Sequence, residues 1–163
     1  MKIFGLGLSR TGTTTLNRVL NDLGFNTIHY PSSRKVLFST NNDGANDIPV
    51  INYFEELDQK FPNSKFILTT RNKEKWLKSI VHYLGRKKDW KMSNWTIENR
   101  TKVYGSPFPD YEQCSKVYDN HEEKIRNYFK ERPQDFLVLD ICGGDNPKKL
   151  YEFLNVDHEP PES

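Results

Sequence analysis

The chain has 163 residues, of which 24 are basic and 22 acidic, so the formal charge is +2. This length suits one domain, and this charge gives no support for general nucleic-acid binding. The two cysteines have no metal or redox spacing, and no apolar run approaches the roughly 20 residues of a membrane span. We therefore expect a cytoplasmic protein with no signal peptide and with neither membrane nor nucleic-acid partners.

The first part of the chain alternates apolar runs with a helical pattern. The run 2–8 predicts a buried strand, and the apolar residues that follow recur at helical spacing up to Gly24, where a helix C-cap belongs. Residues 26–30 predict a second strand. The stretch 31–46 is rich in Ser, Asn, Asp and Gly and predicts a long loop.

The central part repeats this alternation. Apolar positions from Val50 to Phe61 predict an amphipathic helix, and 65–70 is the clearest buried strand of the chain. A helix should follow over Trp76–Leu84 and stop at Gly85.

The last part begins with segment 86–109, which is basic and aromatic and predicts a partly helical region. An apolar stripe over Cys114–Phe129 predicts a longer helix. Residues 135–141 predict the last strand, and a final helix follows with Pro147 in its first turn.

Strands separated by helices pair in parallel through right-handed crossovers. The sequence therefore predicts an α/β fold, a three-layer α/β/α sandwich with a central, mostly parallel sheet, in a single domain over 1–163.

The segment GLGLSRTGTTTL, residues 5–16, is similar to a phosphate-binding loop without its lysine. Gly7 and Gly12 have the spacing of G-x-x-x-x-G-K-[ST], but Thr13 occupies the lysine position. Converging backbone N–H groups and a helix N-terminus favour an anion there, and the hydroxyls of Thr13–Thr15 can donate to its oxygens. The alternative is a tight turn with a threonine N-cap.

The missing lysine argues against ATP or GTP, because that lysine contacts the β- and γ-phosphates. Arg10 is the obvious replacement cation within the loop. A second cation, Arg71, ends a predicted strand at the edge where such sheets bind ligands, and Ser79 follows eight residues later. Arg71 and Ser79 could share one phosphate, or could be a surface ion pair and a serine on a helix flank.

Together these motifs resemble the P-loop-derived sulfotransferases that use 3′-phosphoadenosine 5′-phosphosulfate (PAPS), in particular a compact branch of that family. RTGTT at 10–14 matches the family's loop for the 5′-phosphosulfate, and Arg71-Asn72 with Ser79 matches its 3′-phosphate element. The resemblance implies a P-loop NTPase-like fold and in-line sulfuryl transfer without a metal to a hydroxyl or amine. It assigns donor binding to Ser9, Arg10, Thr11, Gly12, Thr13, Thr14, Arg71 and Ser79, with Arg10 also catalytic.

A base must take the proton of the acceptor. Many family members have a histidine in an H-x-P step, whereas this chain has Asp47 before Pro49, so Asp47 is the first choice. Asp47 could instead be a helix N-cap, and His29 is the alternative base. Catalysis by Asp47 leads us to expect a raised pKa for its carboxyl group. His121 lies on an apolar stripe and is expected to be a core histidine.

The acceptor, a small molecule or a glycan, should contact 31–46 and 86–109. Within the second segment Arg86, Lys87, Lys88 and Lys91 with Trp90 are candidates for an acidic or glycan acceptor, or form a solvated helix face. Two other functions stay open: a non-catalytic nucleotide-binding protein, and a nucleotide or nucleoside kinase.

Overall fold

The computed structural model describes residues 1–86 and 91–157. Its strands are β1 Ile3–Gly5, β2 Thr27–His29, β3 Gly44–Asn46, β4 Lys65–Thr69 and β5 Phe136–Leu139. Its helices are α1 Thr13–Asp22, α2 Arg34–Leu37, α3 Ile48–Lys60, α4 Lys73–Arg86, α5 Asn94–Tyr104, α6 Tyr111–Tyr128 and α7 Lys148–Leu154.

The strands form one sheet in the order β2-β3-β1-β4-β5, and every pairing is parallel. β1 is central, and its Phe4 pairs with Ala45 on one side and with Phe66 on the other. The predicted α/β fold is therefore confirmed.

Alternation along the strands divides the core between the two faces of the sheet. Phe4 packs with Phe54 of α3 and Ile125 of α6, whereas Ile3 packs with Leu16 of α1 and with apolar residues of α7. The three layers are therefore the helices on one face, the sheet, and the helices on the other face. A further apolar cluster joins α4, α5 and α6 around the fully buried Trp76.

The prediction of a long loop over 31–46 is wrong, because the segment contains α2 and the buried strand β3. Ser33 caps α2 by accepting a hydrogen bond from the backbone of Val36. In β3 the sequence Gly-Ala-Asn has little strand preference, but pairing with β1 and β2 on both sides stabilises it. Gly44 has φ 143°, and a Cβ there would lie 1.8 Å from the carbonyl oxygen of Ile3.

The expectation that Gly85 stops its helix is also wrong, since α4 runs to Arg86. A glycine inside a helix costs about 1 kcal/mol relative to alanine, which a helix with a buried face tolerates. The predicted partial helix in 86–109 is α5. The predictions for Lys87, Lys88 and Trp90 fall outside the described residues.

In the part of the chain that the structure describes, no helix has both the length and the apolar character needed to cross a bilayer. Cys114 is buried and Cys142 exposed, and neither forms a disulfide. The cytoplasmic location stays a prediction.

Candidate functional site

A cavity of about 310 Å³ opens at the carboxyl edge of the sheet. Every strand is followed within a few residues by, or ends in, a residue that lines this cavity. This is expected because parallel strands direct the loops that follow them to the same edge of the sheet. The wall is formed by Ser9, Arg10, Gly12, Thr13, Thr14, Thr15, His29, Tyr30, Asp47, Arg71, Tyr83 and Cys142. All the site residues predicted from the sequence are among these except Thr11 and Ser79.

The loop after β1 is held in an uncommon backbone conformation. Arg10 has φ 74° and Gly12 has φ 99°, so both are left-handed. For Arg10, which carries a side chain, this conformation costs the folded state roughly 1–2 kcal/mol. Trp76 fixes the loop by donating its indole N–H to the carbonyl oxygen of Ser9 at 2.9 Å. The approach to β4 also requires Gly7, since a Cβ there would lie 1.7 Å from Oγ1 of Thr69.

The two predicted cations lie side by side in this cavity. Arg71 donates through Nη1 to the carbonyl oxygen of Arg10 at 3.0 Å, and Arg10 donates through Nε to Oγ of Ser79 at 3.1 Å. The Arg10 guanidinium also lies over the ring of Tyr83, 5.3 Å from its centre. Ser79 thus contacts Arg10 without forming part of the cavity wall. Nε of Arg71 is buried and has no hydrogen-bond partner in the described part of the chain.

Thr11 is turned away from the cavity. Its hydroxyl donates to the carbonyl oxygen of Leu8 at 2.6 Å and lies 2.7 Å from Oγ1 of Thr69. Its side chain is fully buried, so Thr11 stabilises the loop against β4 rather than offering a hydroxyl to a ligand.

Asp47 collects hydrogen bonds from four groups. Oδ1 accepts from Ser9 Oγ at 2.5 Å and from the backbone N–H of Ile48 at 2.7 Å. Oδ2 accepts from Thr13 Oγ1 at 2.6 Å and lies 3.1 Å from Nε2 of His29. Asp47 therefore caps the start of α3, as its alternative interpretation predicts, and also ties this helix to the loop after β1.

The expected rise in the pKa of Asp47 is wrong. Burial alone would raise the pKa of this carboxyl group. The hydrogen bonds from His29, Ser9 and Thr13 stabilise the charged form and outweigh burial, so the pKa of Asp47 is lowered. A carboxylate held in this way is a weaker base than an ordinary aspartate.

His29 is the half-exposed member of this cluster, with 34% of its side chain accessible. Its Nε2 lies within hydrogen-bond distance of Asp47 and of Thr13, the latter at 3.2 Å. Donation from Nε2 to the carboxylate leaves the lone pair of the neutral ring on Nδ1. Within residues 1–86 and 91–157, Nδ1 has no hydrogen-bond partner.

Tyr30 and Cys142 also line the cavity and were not predicted, although Tyr30 ends one predicted strand and Cys142 directly follows another. The rule that singled out Arg71, a position at the carboxyl edge, also applies to them. The expectation for His121 is confirmed: it is buried, and its Nε2 donates to the carbonyl oxygen of Leu6 at 2.6 Å. Among the described residues, no three His, Cys, Asp or Glu side chains are grouped as metal ligands.

Comparison with known proteins adds three findings. The pattern of the family described as "Sulfotransferase domain" matches residues 2–42 and 36–162. A curated relative from Aspergillus versicolor, Ava biosynthesis cluster protein M, is 28% identical in an alignment of 128 residues, and the match covers 60% of this chain and 47% of the relative. This chain thus matches about half the length of that protein.

Among solved structures, mouse sulfotransferase SULT7A1 complexed with PAP resembles this chain with a TM-score of 0.55 and 16% identity. The match covers 98% of this chain and 60% of the mouse protein. At this identity the likeness concerns the fold alone.

Proposed function

We propose that this chain, which belongs to the sulfotransferase domain family, transfers a sulfuryl group from PAPS to a hydroxyl or amine acceptor. The observation that carries the proposal is the meeting of Arg10 and Arg71 in one cavity beside the loop 9–14. PAPS has two separate anionic groups, and these two cations belong to the two motifs that would hold them.

The residues present fit such a donor. Nε of Arg71 is a buried donor without an acceptor in the described part of the chain, and a phosphate oxygen could accept its hydrogen bond. The first-turn N–H groups of α1 have no partner within their helix and lie at the cavity wall, where they suit a second anion. In this proposal Arg71 and Ser79 hold the 3′-phosphate, while Arg10 and the segment Ser9–Thr14 hold the 5′-phosphosulfate.

When bound, PAPS supplies an electrophilic sulfuryl group and a bisphosphate leaving group. Arg10 and the loop N–H groups then stabilise the negative charge that grows on the leaving oxygen during in-line transfer. A sulfuryl group carries less negative charge than a phosphoryl group, so Arg10 and the loop N–H groups would neutralise the leaving group without a metal ion.

The base is assigned to the His29–Asp47 pair. Both carboxylate oxygens of Asp47 are occupied by donors, whereas Nδ1 of His29 is free to accept a proton. In this assignment His29 takes the proton of the acceptor, and Asp47 orients the ring and stabilises its protonated form.

A thermal-shift titration followed by a transfer assay tests the proposal. We expect adenosine 3′,5′-bisphosphate to stabilise the protein without magnesium, and we expect sulfate transfer to at least one member of a panel of phenols, alcohols and glycans. Stabilisation by Mg-ATP in place of the bisphosphate would instead support a kinase.

The second candidate is a non-catalytic nucleotide-binding protein. It is favoured by the hydrogen bonds that occupy both carboxylate oxygens of Asp47 and lower its pKa, since they make the first-choice base a weak one. Binding of the bisphosphate without transfer to any acceptor of the panel would select this candidate.

A further inference from the structure

Helix α1 meets the strands β2 and β3 through polar side chains. Thr13, Asn17 and Asn21 are spaced four residues apart, so they lie on one side of the helix, which we call the polar face of α1. All three form hydrogen bonds to residues of β2 or to the end of β3. The side of α1 with Leu16 and Leu20 packs instead against apolar residues of β1, β4 and β5.

Asn17 is the centre of this polar face, because its side-chain oxygen joins α1 to two strands. Oδ1 of Asn17 accepts from Oγ1 of Thr27 in β2 at 3.0 Å and from Nδ2 of Asn46 in β3 at 3.1 Å. Both donors are buried, and Asn46 is completely so. Oδ1 of Asn46 has no partner in the described part of the chain. The buried amide of Asn46 is therefore held by its hydrogen bond to Asn17.

This junction costs the folded protein more than an apolar contact would. Buried hydroxyl and amide groups lose their hydration, and Oδ1 of Asn46 regains nothing for it within residues 1–86 and 91–157. Hydrogen bonds are directional, however, whereas apolar surfaces can rotate or slide against each other. Two donors from two strands that meet one acceptor thus fix the rotation and the height of α1 over the sheet.

The two donors to Asn17 lie next to the proposed base pair. Thr27 and His29 are two residues apart on β2, so their side chains lie on the same face of the sheet. His29 is the register partner of Asn46, and Asp47 directly follows Asn46 at the end of β3. A shift of either strand end relative to α1 would therefore move His29 or Asp47.

The helix side of the junction carries a residue of the proposed nucleotide site. Thr13 lies one turn before Asn17, and its hydroxyl donates to Oδ2 of Asp47 at 2.6 Å. The oxygen of the same hydroxyl lies 3.2 Å from Nε2 of His29. The separation between the first turn of α1 and the His29 ring thus depends on how α1 lies on β2 and β3.

We propose that Asn17 is a positioning residue, whose side-chain oxygen holds the ends of β2 and β3 against α1 and thereby aligns His29 with the nucleotide-binding turn. The inference rests on the proposed function, to which it adds a residue outside the cavity wall. Reacting groups have to be aligned closely, and a displacement of about 1 Å can lower the rate by about a hundredfold.

The first test removes the acceptor oxygen and then restores it. N17L has a similar size and no acceptor, whereas N17D keeps an oxygen that can accept from both Thr27 and Asn46. We expect N17L to lower kcat by about ten- to a hundredfold and to change the dissociation constant of adenosine 3′,5′-bisphosphate by less than about threefold. N17D should keep kcat within about threefold of wild type. An unchanged kcat in N17L, or an equal loss in N17D, would overturn the inference.

N21A is the matched control for a loss of stability. Nδ2 of Asn21 donates to the backbone oxygens of Asn17 at 2.7 Å and of Thr27 at 3.1 Å, so N21A removes hydrogen bonds from the same face of the helix. It leaves both bonds to Oδ1 of Asn17 in place. N21A and N17L should both lower the thermal midpoint, but N21A should keep the wild-type kcat. Equal losses of kcat in the two variants would show that the loss follows stability and that the proposal is wrong.

Thr27 provides a milder pair of variants, which serves even if N17L does not fold. T27V keeps the shape of the side chain and removes one of the two donors to Asn17, whereas T27S keeps the hydroxyl. We expect kcat to fall several-fold in T27V and to stay at the wild-type value in T27S. Wild-type turnover in T27V would contradict the role given to the junction.

A spectroscopic readout separates this inference from the proposed function. Nitrogen NMR shifts of the His29 ring report, without any turnover, which ring nitrogen carries the proton. In the wild type, the Asp47 carboxylate should hold that proton on Nε2. N17L should shift His29 towards a mixture of both tautomers, whereas N17D and N21A should keep the wild-type spectrum. If the wild type neither binds the bisphosphate nor transfers sulfate, the proposed function fails; an unchanged His29 spectrum in N17L overturns the role of Asn17 alone.

Discussion

Arg10 and Arg71 contact each other through a single hydrogen bond but are expected to act at different stages of the reaction. R10A should lower kcat by about 10²–10³, since it removes a charge that stabilises the transition state. R71A should instead weaken bisphosphate binding by about ten- to a hundredfold. Steady-state kinetics and calorimetry measure both effects, with R18A on the exposed side of α1 as the matched control. Equal losses of binding in R10A and R71A, with kcat preserved, would contradict this division.

His29 offers a sharper test of the proposed base. H29Q keeps a side-chain donor that can reach Asp47 but provides no basic nitrogen. We expect kcat to fall by about 10²–10⁴ in H29Q while bisphosphate affinity is preserved. H82A, a change at an exposed histidine of α4, should have wild-type kinetics. Full activity of H29Q would leave Asp47 as the base.

At the scale of single residues, the sequence predicts which side chains line the cavity better than it predicts their pKa values. The glycine spacing, Arg10 and Arg71 are recognisable because an anion-binding loop and a strand end favour those residue types there, whereas Asp47 is recognisable only from its place before Pro49 in the resemblance to the family. The lowering of the Asp47 pKa could not be predicted, because it depends on the hydrogen bonds that Ser9, Thr13 and His29 make to the carboxylate.

At the scale of elements, β3 is the instructive case. Its residues are typical of a turn, and only the neighbouring strands make them a strand. The long helices and the apolar strands β4 and β5 carry their own periodicity, so they were predicted within a few residues. A short polar strand depends on tertiary pairing, which a single sequence does not display.

Gly44 and Gly24 together test how far the strand β3 depends on its close pairing with β1. Both have positive φ, but a Cβ at Gly44 would meet the backbone of Ile3, whereas at Gly24 nothing lies within 4 Å. G24A should cost roughly 1–2 kcal/mol for the strained backbone. G44A should cost more than about 3 kcal/mol, because β1 and β3 would have to separate. Urea unfolding of both variants measures the difference, and equal costs would mean that the close approach at Gly44 is unimportant.

At the scale of the whole molecule, Asp47 links three parts of the fold: the loop after β1, the strand β2 and the helix α3. Because its pKa is lowered in the folded state, its stabilising effect is present above the unfolded pKa of about 3.9. This effect is lost as the pH falls through the lower folded value. We therefore expect wild type to exceed D47N in unfolding free energy at neutral pH and this advantage to shrink between about pH 5 and pH 2. Denaturant unfolding across that range measures it, and a constant difference would show that another group is responsible.

The layer order and parallel pairing could be predicted because alternating strands and helices permit few arrangements. The packing of α5 on α3 and α6 could not be predicted. There the polar contacts of Asn99 and Arg100 replace a clear apolar stripe.

The hydroxyl hydrogens of Ser9 and Thr13 both point at one carboxylate, so an incoming anion has to compete with Asp47 for them. Each hydroxyl that turns to the anion removes support for the carboxylate charge, and the affinity of Asp47 for a proton rises. If the chain binds PAPS as proposed, nucleotide binding and proton uptake by Asp47 are linked, and the heat of binding should depend on the ionisation enthalpy of the buffer in mildly acidic solution.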